Sequence, residues 1–126
     1  MREAEDAALK AVRAGERLFV FPEGRLRRMS GLMSFYPGPF LIAAEAAVPV
    51  VPVTIVGTRS VLRDSNQWFP RRAPITIRIG KPVMAGGTDF RSALALRDTV
   101  RAEILKSCHE PDLAREEIEF GKRTKN

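Results

Sequence analysis

One short stretch, residues 21–28, combines side chains that can bind an anion with one that can accept a hydroxyl proton. Glu23 follows Pro22 at the end of an apolar run, and Gly24 comes next. Three guanidinium groups follow, at Arg25, Arg27 and Arg28. Arginine presents forked N–H donors that match the oxygens of a phosphate or a carboxylate. The stretch therefore predicts a site for an anionic ligand, where Glu23 either holds an arginine in place or accepts a ligand hydroxyl.

A purely structural interpretation of the same stretch is a solvated turn. In that case Glu23 makes a surface ion pair that contributes only about 0–1 kcal/mol to stability. Gly24 fits both interpretations, because glycine permits a positive φ in a turn and also lets a ligand approach the backbone closely. The residue types alone leave the two interpretations open.

The positive charge of the chain is concentrated around this stretch. The 126 residues carry a formal net charge of +6. Residues 17–81 hold ten cations and three anions, whereas residues 82–126 hold eight of each. A local positive field favours phosphate, an acidic lipid surface or nucleic acid as a partner, and a solubilising surface is the simpler alternative.

Length and composition indicate one soluble domain. Hydrophobic residues make up 44% of the chain and charged residues 29%, which is typical of a globular protein. Residues 1–16 are charged and alanine-rich, without the apolar core of a signal peptide. Cys108 is the one cysteine and His109 the one histidine, so we expect no disulfide and no metal site. These features predict a cytoplasmic protein.

Hydrophobic periodicity predicts an α/β fold. The order strand, helix, strand over residues 17–56 is typical of a crossover unit with parallel strands. Ligands of open α/β sheets bind beyond the carboxyl ends of the strands, where residues 22–28 would lie. Helices are expected at residues 3–14, 38–47 and 89–107, and strands at residues 17–21, 50–56 and 75–80.

Two ordered motifs resemble the glycerol-phosphate and lysophospholipid acyltransferase family. The sequence FPEG at residues 21–24 is similar to the third motif of that family, and VPVVPV at residues 48–53 is similar to the fourth. The resemblance extends from about Arg17 to Val83. It implies that residues 1–126 form a single partial domain, the C-terminal portion of an acyltransferase α/β sheet with flanking helices. We expect residues 121–126 to form a frayed tail.

The resemblance implies transfer of an acyl group from acyl-CoA or acyl carrier protein to a glycerol-phosphate or lysophospholipid acceptor in phospholipid biosynthesis. No cofactor is implied beyond the acyl donor. Glu23 and Gly24 match the acceptor-binding positions of the family directly. Arg25 stands where the family usually has threonine and Leu26 where it often has arginine, so phosphate binding would fall to Arg25, Arg27 or Arg28.

The catalytic motif of the family has no counterpart in this sequence. In the family a histidine, followed after four residues by an aspartate, activates the acceptor hydroxyl, and it precedes the other motifs. Here the residue five positions after His109 is Ala114. We therefore expect no catalytic residue in this chain, no activity by the chain alone, and a helix-capping or surface role for His109. Adjacent Cys108 and His109 do not suit a nucleophile and its base.

A second basic region, around Trp68 and Phe69, suggests what else the chain contacts. Arginine with aromatic residues suits a lipid interface, a nucleic-acid surface or a plain loop. Given the resemblance, we favour peripheral contact with the inner face of the membrane and expect no nucleic acid. An uncovered sheet edge would also permit self-association. The alternative function is a non-catalytic anion-binding module for acidic lipid or nucleic acid.

Overall fold

The computed structural model describes residues 2–25, 30–61 and 72–114. Within these ranges the chain forms four helices and one two-stranded antiparallel sheet, so the predicted mixed α/β class is confirmed. In chain order the elements are α1 (Arg2–Arg13), α2 (Gly38–Ala46), β1 (Val53–Val56), α3 (Thr58–Val61), β2 (Thr76–Ile79) and α4 (Phe90–Cys108).

The core lies between α2, α4 and the segment that precedes α2. Helix α2 packs against α4. The ring of Phe35 stacks on that of Phe40, with centroids 6.2 Å apart. Burying a large apolar side chain contributes about 1.5–3 kcal/mol, so this cluster is the main source of stability. Its buried members are Leu32, Phe35, Phe40, Ala43, Leu96 and Val100.

Helix α1 packs against this core with its apolar side, on which Ala8, Leu9, Ala11 and Val12 are half-buried. It has acidic residues in its first turn and basic residues in its last, which suits the helix dipole. None of its residues is buried. It packs on α2, and the Arg13 guanidinium lies 3.2 Å from the Glu45 carboxylate. The apolar contacts therefore hold α1 in place, because an exposed ion pair contributes little.

The sheet has one exposed face and one face that is covered only at β1. Val53 pairs with Ile79 and Ile55 with Ile77 in the antiparallel register. Because side chains alternate along a strand, these four lie on one face and Thr54 on the other. Thr54 is only 5% exposed, and β1 contacts α4, so the helix covers β1 on the Thr54 side, whereas Thr76 and Arg78 of β2 are exposed there.

The predicted first strand and the parallel crossover are wrong. Residues 17–21 are extended but form no strand, and Phe19 is 94% exposed where a buried strand was expected. A strand requires a neighbouring strand for its backbone groups, and among the described residues none bonds to residues 17–20, while the Phe21 carbonyl accepts from Gly24 in the turn that follows. The sheet consists instead of β1 and β2, which run antiparallel.

The other predicted elements are confirmed, with small changes in their bounds. Strand β1, predicted at residues 50–56, begins at Val53, three residues later than predicted. The reason is that Pro49 and Pro52 have no backbone N–H to donate. Val50 pairs only with Val83, in an isolated bridge. Among the described residues, no helix is both long enough and apolar enough to span a bilayer. Trp68, Phe69 and residues 121–126 lie outside the described residues.

Candidate functional site

A tight turn at residues 22–24 presents the predicted glutamate. The Gly24 N–H donates to the Phe21 carbonyl at 3.1 Å, and the Tyr36 N–H donates to the Pro22 carbonyl at 2.9 Å. Gly24 has a φ of +65°, and a side chain at this position would run into the Tyr36 ring. Position 24 therefore requires glycine for two reasons, its backbone conformation and the lack of space.

The carboxylate of Glu23 is half-buried and is anchored by the backbone. Its Oε2 accepts a hydrogen bond from the Met33 N–H at 3.0 Å. Hydrogen bonds to an ionised acceptor are stronger than neutral ones, so this contact fixes the direction of the side chain. The turn and its anchor together hold a carboxylate at the surface in a defined orientation.

The anchoring residue Met33 belongs to a loop that the end of the described chain holds in place. The Leu32 N–H donates to the Pro111 carbonyl at 2.8 Å, and the Leu113 N–H donates to the Leu32 carbonyl at 3.0 Å. Gly31 has a φ of +145°, and the Leu113 side chain occupies the space next to it. The position of the Glu23 carboxylate thus depends on the backbone of residues 111–113, close to the other end of the described chain.

An ion pair between Arg59 and Glu110 supports the same loop. The Arg59 Nε and Nη2 atoms donate to the two Glu110 carboxylate oxygens at 2.6 and 3.2 Å. The Gly31 N–H also donates to Glu110. Helix α3 carries Arg59, so this pair joins the residues after β1 to both the loop and the end of α4.

The electrostatics of this pair reach the candidate site. The hydrogen bond to Glu110 raises the pKa of Arg59 above its ordinary value, and the negative charge of Glu23 contributes to the same shift. Partial burial opposes ionisation of Glu110. The hydrogen bonds from Arg59 and from the Gly31 N–H outweigh that burial, so the pKa of Glu110 is lowered. Arg59 is therefore a permanent cation in the electrostatic environment of Glu23.

A second arginine, Arg101 of α4, clasps the loop from the core side. Its Nε donates to the Met33 carbonyl at 2.9 Å, and its Nη2 donates to the Leu32 carbonyl at 2.8 Å. Nη2 also lies 2.7 Å from the Asp112 carboxylate. The guanidinium stands 5.8 Å from the centre of the Phe35 ring, a distance at which cation–π attraction operates.

Comparison with known proteins gives the family to which this geometry belongs. The acyltransferase family model matches residues 1–56, which include the turn, the loop and β1. A chloroplastic 1-acyl-sn-glycerol-3-phosphate acyltransferase of Brassica napus is 31% identical over 99 residues, which cover 79% of this chain and 27% of that protein. The chain belongs to the acyltransferase family. The resemblance of the two motifs is thereby confirmed.

Further relatives have the same description. A chloroplastic 1-acyl-sn-glycerol-3-phosphate acyltransferase of Arabidopsis thaliana is 30% identical over 64% of this chain and 23% of its own length. The 1-acyl-sn-glycerol-3-phosphate acyltransferase alpha of Mus musculus is 28% identical over 71% of this chain and 31% of its own length. The chain spans about a quarter to a third of the length of these acyltransferases. No solved structure gives a significant match.

Of the five predicted site residues, the structure describes three. Glu23 and Gly24 lie in the same turn, and Arg25 follows them with an exposed side chain. Arg27 and Arg28 lie outside the described residues. The assignment of these five residues to an acceptor site stays a prediction.

The residues that support the turn, Arg59, Arg101 and Glu110, were not identified from the sequence. Arg59 and Glu110 are 51 residues apart, and Arg101 is 68 residues from the Met33 carbonyl that it binds. No local spacing connects partners so distant. Only Arg59 carried a sequence signal, because it follows the carboxyl end of a predicted strand, where residues of ligand sites in α/β sheets are found.

The one histidine occupies a capping position, which confirms the capping interpretation. His109 follows the last residue of α4 with a φ of 54°, in the left-handed region that commonly ends helices. The Cys108 thiol is partly buried and lies 3.6 Å from the Leu105 carbonyl. In the described part of the chain, no group of three or more acidic, histidine or cysteine side chains is arranged to hold a metal ion.

Proposed function

We propose that this chain forms the acceptor-binding part of an acyltransferase. The acyl group passes from acyl-CoA or acyl carrier protein to a hydroxyl of a glycerol-phosphate or lysophospholipid acceptor. The observation that carries the proposal is the turn at Glu23 and Gly24, which presents an anchored carboxylate within sequence that matches the acyltransferase family. The names of the relatives, which are 1-acyl-sn-glycerol-3-phosphate acyltransferases, support this class of acceptor.

Each residue of the site has its own task in this proposal. Glu23 accepts a hydrogen bond from the acceptor hydroxyl and so orients the oxygen that attacks the acyl carbonyl. Gly24 keeps the turn that orients Glu23 toward the acceptor, because its φ of +65° and the Tyr36 ring beside it exclude a side chain. Arg25 binds the phosphate through its N–H donors, and the sequence predicts that Arg27 and Arg28 share this task.

In this proposal the chain has no general base to remove the proton of the acceptor hydroxyl. The one histidine caps α4, and Ala114 stands where the aspartate of the catalytic motif would be. A positioned general base contributes about 10²–10⁴-fold to such a reaction. We therefore expect the chain alone to bind the acceptor without transferring an acyl group, in the cytoplasm at the membrane surface where lysophospholipids reside.

Calorimetric titration of the chain with glycerol 3-phosphate and with lysophosphatidic acid tests the acceptor site. The Glu23→Gln variant keeps the size of the side chain but removes its charge. A hydrogen bond to a charged group contributes about 1.5–3 kcal/mol, so affinity should fall roughly tenfold or more. The control is Glu103→Gln, because Glu103 lies on α4 and, among the described residues, its carboxylate pairs with Lys106 of the same helix.

A second pair of variants separates the acceptor site from a general anion-binding surface. Arg25→Ala should weaken acceptor binding, whereas Arg91→Ala, which removes an exposed cation of α4, should not. Unchanged affinity in the Glu23→Gln protein would contradict the site. Tighter binding of a long single-stranded DNA, lost steeply as salt is added, would instead support the anion-binding alternative.

A further inference from the structure

Two arginines of the described chain hold the loop that contains Met33, and they differ in exposure. The side chain of Arg101 is 13% exposed, and its donors bond to two carbonyls of the loop and to Asp112. The side chain of Arg59 is 45% exposed, although its Nε and Nη2 atoms both donate to Glu110. Arg59 is therefore fixed in position and still accessible to a ligand, whereas Arg101 faces the core.

Arg59 lies near Glu23 because one short loop binds both Glu23 and the partner of Arg59. The Glu110 carboxylate, to which Arg59 is bonded, accepts a hydrogen bond from the Gly31 N–H. The Glu23 carboxylate accepts from the Met33 N–H, two residues further along the chain. The negative charge of Glu23 also contributes to the raised pKa of Arg59, so the guanidinium lies within electrostatic range of the candidate site.

A phosphate that binds beside Glu23 meets two carboxylates on this loop. Glu23 and Glu110 are both bonded to its backbone, and like charges repel more strongly at a protein surface than in bulk water. A phosphate monoester carries a charge of about −1.5 to −2 at neutral pH. Such a ligand needs a fixed cation beside the carboxylates, and Arg59 is bonded to one of them and within electrostatic range of the other.

The guanidinium group of Arg59 suits a phosphate that binds while the pair with Glu110 stays intact. A guanidinium carries five N–H donors in one plane, and two of its nitrogens donate to Glu110. The forked arrangement of these donors matches the oxygens of a phosphate. Because Glu110 already fixes the plane of the group, little side-chain entropy is lost when a ligand binds.

We propose that Arg59 is a phosphate-binding residue of the acceptor site. The acceptor hydroxyl bonds to Glu23, the acceptor phosphate accepts hydrogen bonds from the Arg59 guanidinium, and Glu110 holds that guanidinium in place. The two polar ends of the acceptor are thus bound by groups that are far apart in the sequence. Arg59 lies beyond residues 1–56, which match the family model. This inference rests on the proposed function, because it adds a contact to the same ligand.

Two ligands that differ only in the phosphate group test the proposal. A short-chain lysophosphatidic acid and the monoacylglycerol with the same acyl chain are each titrated calorimetrically into the full chain, and the ratio of the two affinities is called here the phosphate preference. Arg59→Gln should lower the phosphate preference roughly tenfold or more, because a hydrogen bond between charged groups is lost. If Arg59 only supported the loop, the substitution would weaken both ligands equally and leave the phosphate preference unchanged.

The Glu110→Gln variant separates phosphate binding from support of the loop. It breaks the same ion pair as Arg59→Gln, so both variants should be less stable than the wild type. Glu110→Gln keeps the Arg59 cation and removes a negative charge, so the phosphate preference should stay the same or rise. Two variants of one ion pair thus differ in their effect on the ligand only if Arg59 contacts the phosphate.

Two further variants complete the comparison. Arg59→Lys keeps the charge but not the fork of donors, so its phosphate preference should lie between those of the wild type and Arg59→Gln. This variant carries the test if circular dichroism shows that Arg59→Gln does not fold. Arg97→Gln is the matched control, because it removes another arginine that is paired with an acidic residue, Asp98, and it should leave the phosphate preference unchanged.

Failure of this inference can be distinguished from failure of the proposed function. An unchanged phosphate preference in folded Arg59→Gln or Arg59→Lys, while Glu23→Gln weakens both ligands, would refute the role of Arg59 alone. An equal loss of phosphate preference in Arg59→Gln and Glu110→Gln would also refute it, because the ion pair would then act only through the loop. Unchanged affinity of both ligands in Glu23→Gln would overturn the acceptor site and this inference together.

Discussion

At the scale of single residues, the candidate site depends on backbone geometry more than on ion pairs between side chains. The Glu23 carboxylate is oriented by the Met33 N–H, and the turn before it is closed by the Gly24 and Tyr36 N–H groups. Backbone donors are fixed by the fold and lose little entropy when they bind. We therefore expect the site to be sensitive to changes that alter the backbone.

Replacing Gly24 by alanine should destabilise the chain. A non-glycine residue at a φ of +65° costs about 1–3 kcal/mol, and the new methyl group would also displace the Tyr36 ring. Urea unfolding of the two proteins measures the difference. Gly86→Ala is the matched control, because no atom lies within 4 Å of the added carbon, and it should change stability by less than about 0.5 kcal/mol.

The ion pair of Glu110 should contribute more than an ordinary surface pair. Glu110→Gln loses charge-assisted bonds to Arg59 and to the Gly31 N–H, and we expect a loss of about 1 kcal/mol after allowing for partial exposure. Glu103→Gln breaks an exposed ion pair on α4 and should lower the unfolding free energy by about 0.2–0.5 kcal/mol. Equal losses in the two variants would show that the Glu110 contacts do not stabilise the loop.

The same pair gives a pH dependence of defined sign. The pKa of Glu110 is lower in the folded chain than its ordinary value of 4.5, so the unfolded chain binds this proton more readily. The contribution of the ionised carboxylate is present above pH 4.5 and is lost as the pH falls through the folded-state pKa. Unfolding free energy should therefore fall more steeply below pH 4.5 in the wild type than in Glu110→Gln, and parallel curves would contradict this.

At the scale of elements, the end of α4 and the residues after it act as a clasp for the loop before α2. Arg101 binds the Leu32 and Met33 carbonyls, and the backbone of residues 111–113 pairs with Leu32 on its other side. The loop gains from this clasp the order that a helix or strand would otherwise give it. Residues far outside the family match thus determine where the glutamate of the FPEG motif lies.

Replacing Arg101 by lysine should weaken the clasp although the charge is kept. One ammonium group cannot reproduce the fork that reaches two carbonyls and the Asp112 carboxylate, and we expect a loss of about 2 kcal/mol. Thermal and urea unfolding provide the measurement. Arg97→Lys is the control, since Arg97 pairs only with its neighbour Asp98, and a similar loss there would argue against a specific clasp.

At the scale of the whole molecule, the apolar residues are divided between two environments. One group forms the core between α2 and α4, and the other group lies exposed at residues 17–21 and on the outer face of the sheet, where Val53, Ile55, Ile77 and Ile79 lie. A two-stranded sheet is marginally stable by itself, and here one face is exposed and the other is covered only at β1. The exposed group contributes little to folding, because its side chains stay in contact with solvent.

Making the outer face of the sheet polar should raise solubility without reducing stability. Ile77→Thr with Ile79→Thr keeps β-branched side chains at positions that are 60% and 73% exposed, so unfolding free energy should change by less than about 1 kcal/mol. The soluble concentration after ultracentrifugation should rise. The control is Leu96→Ala in the buried core, which should lower the unfolding free energy by about 2–5 kcal/mol. An unchanged solubility of the Ile77→Thr, Ile79→Thr variant would exclude this face as a cause of association.

The sequence by itself determined the features that depend on neighbours along the chain. Helices α1, α2 and α4 and strand β2 lie where periodicity, Pro39 and the flanking glycines predicted them, because these signals act within a few residues. The FPEG motif likewise indicated the turn, and together with the VPVVPV motif it indicated the family, since each motif is a short run of consecutive residues.

Only the tertiary structure decided which partners distant residues find. Residues 17–21, RLFVF, are rich in strand formers, yet they form no strand, because a strand exists only where another backbone pairs with it. The supports of Glu23 come from Arg59, Arg101 and Glu110, which the fold brings to one loop from three parts of the chain. Local sequence carries no record of such contacts, because they depend on how the elements pack.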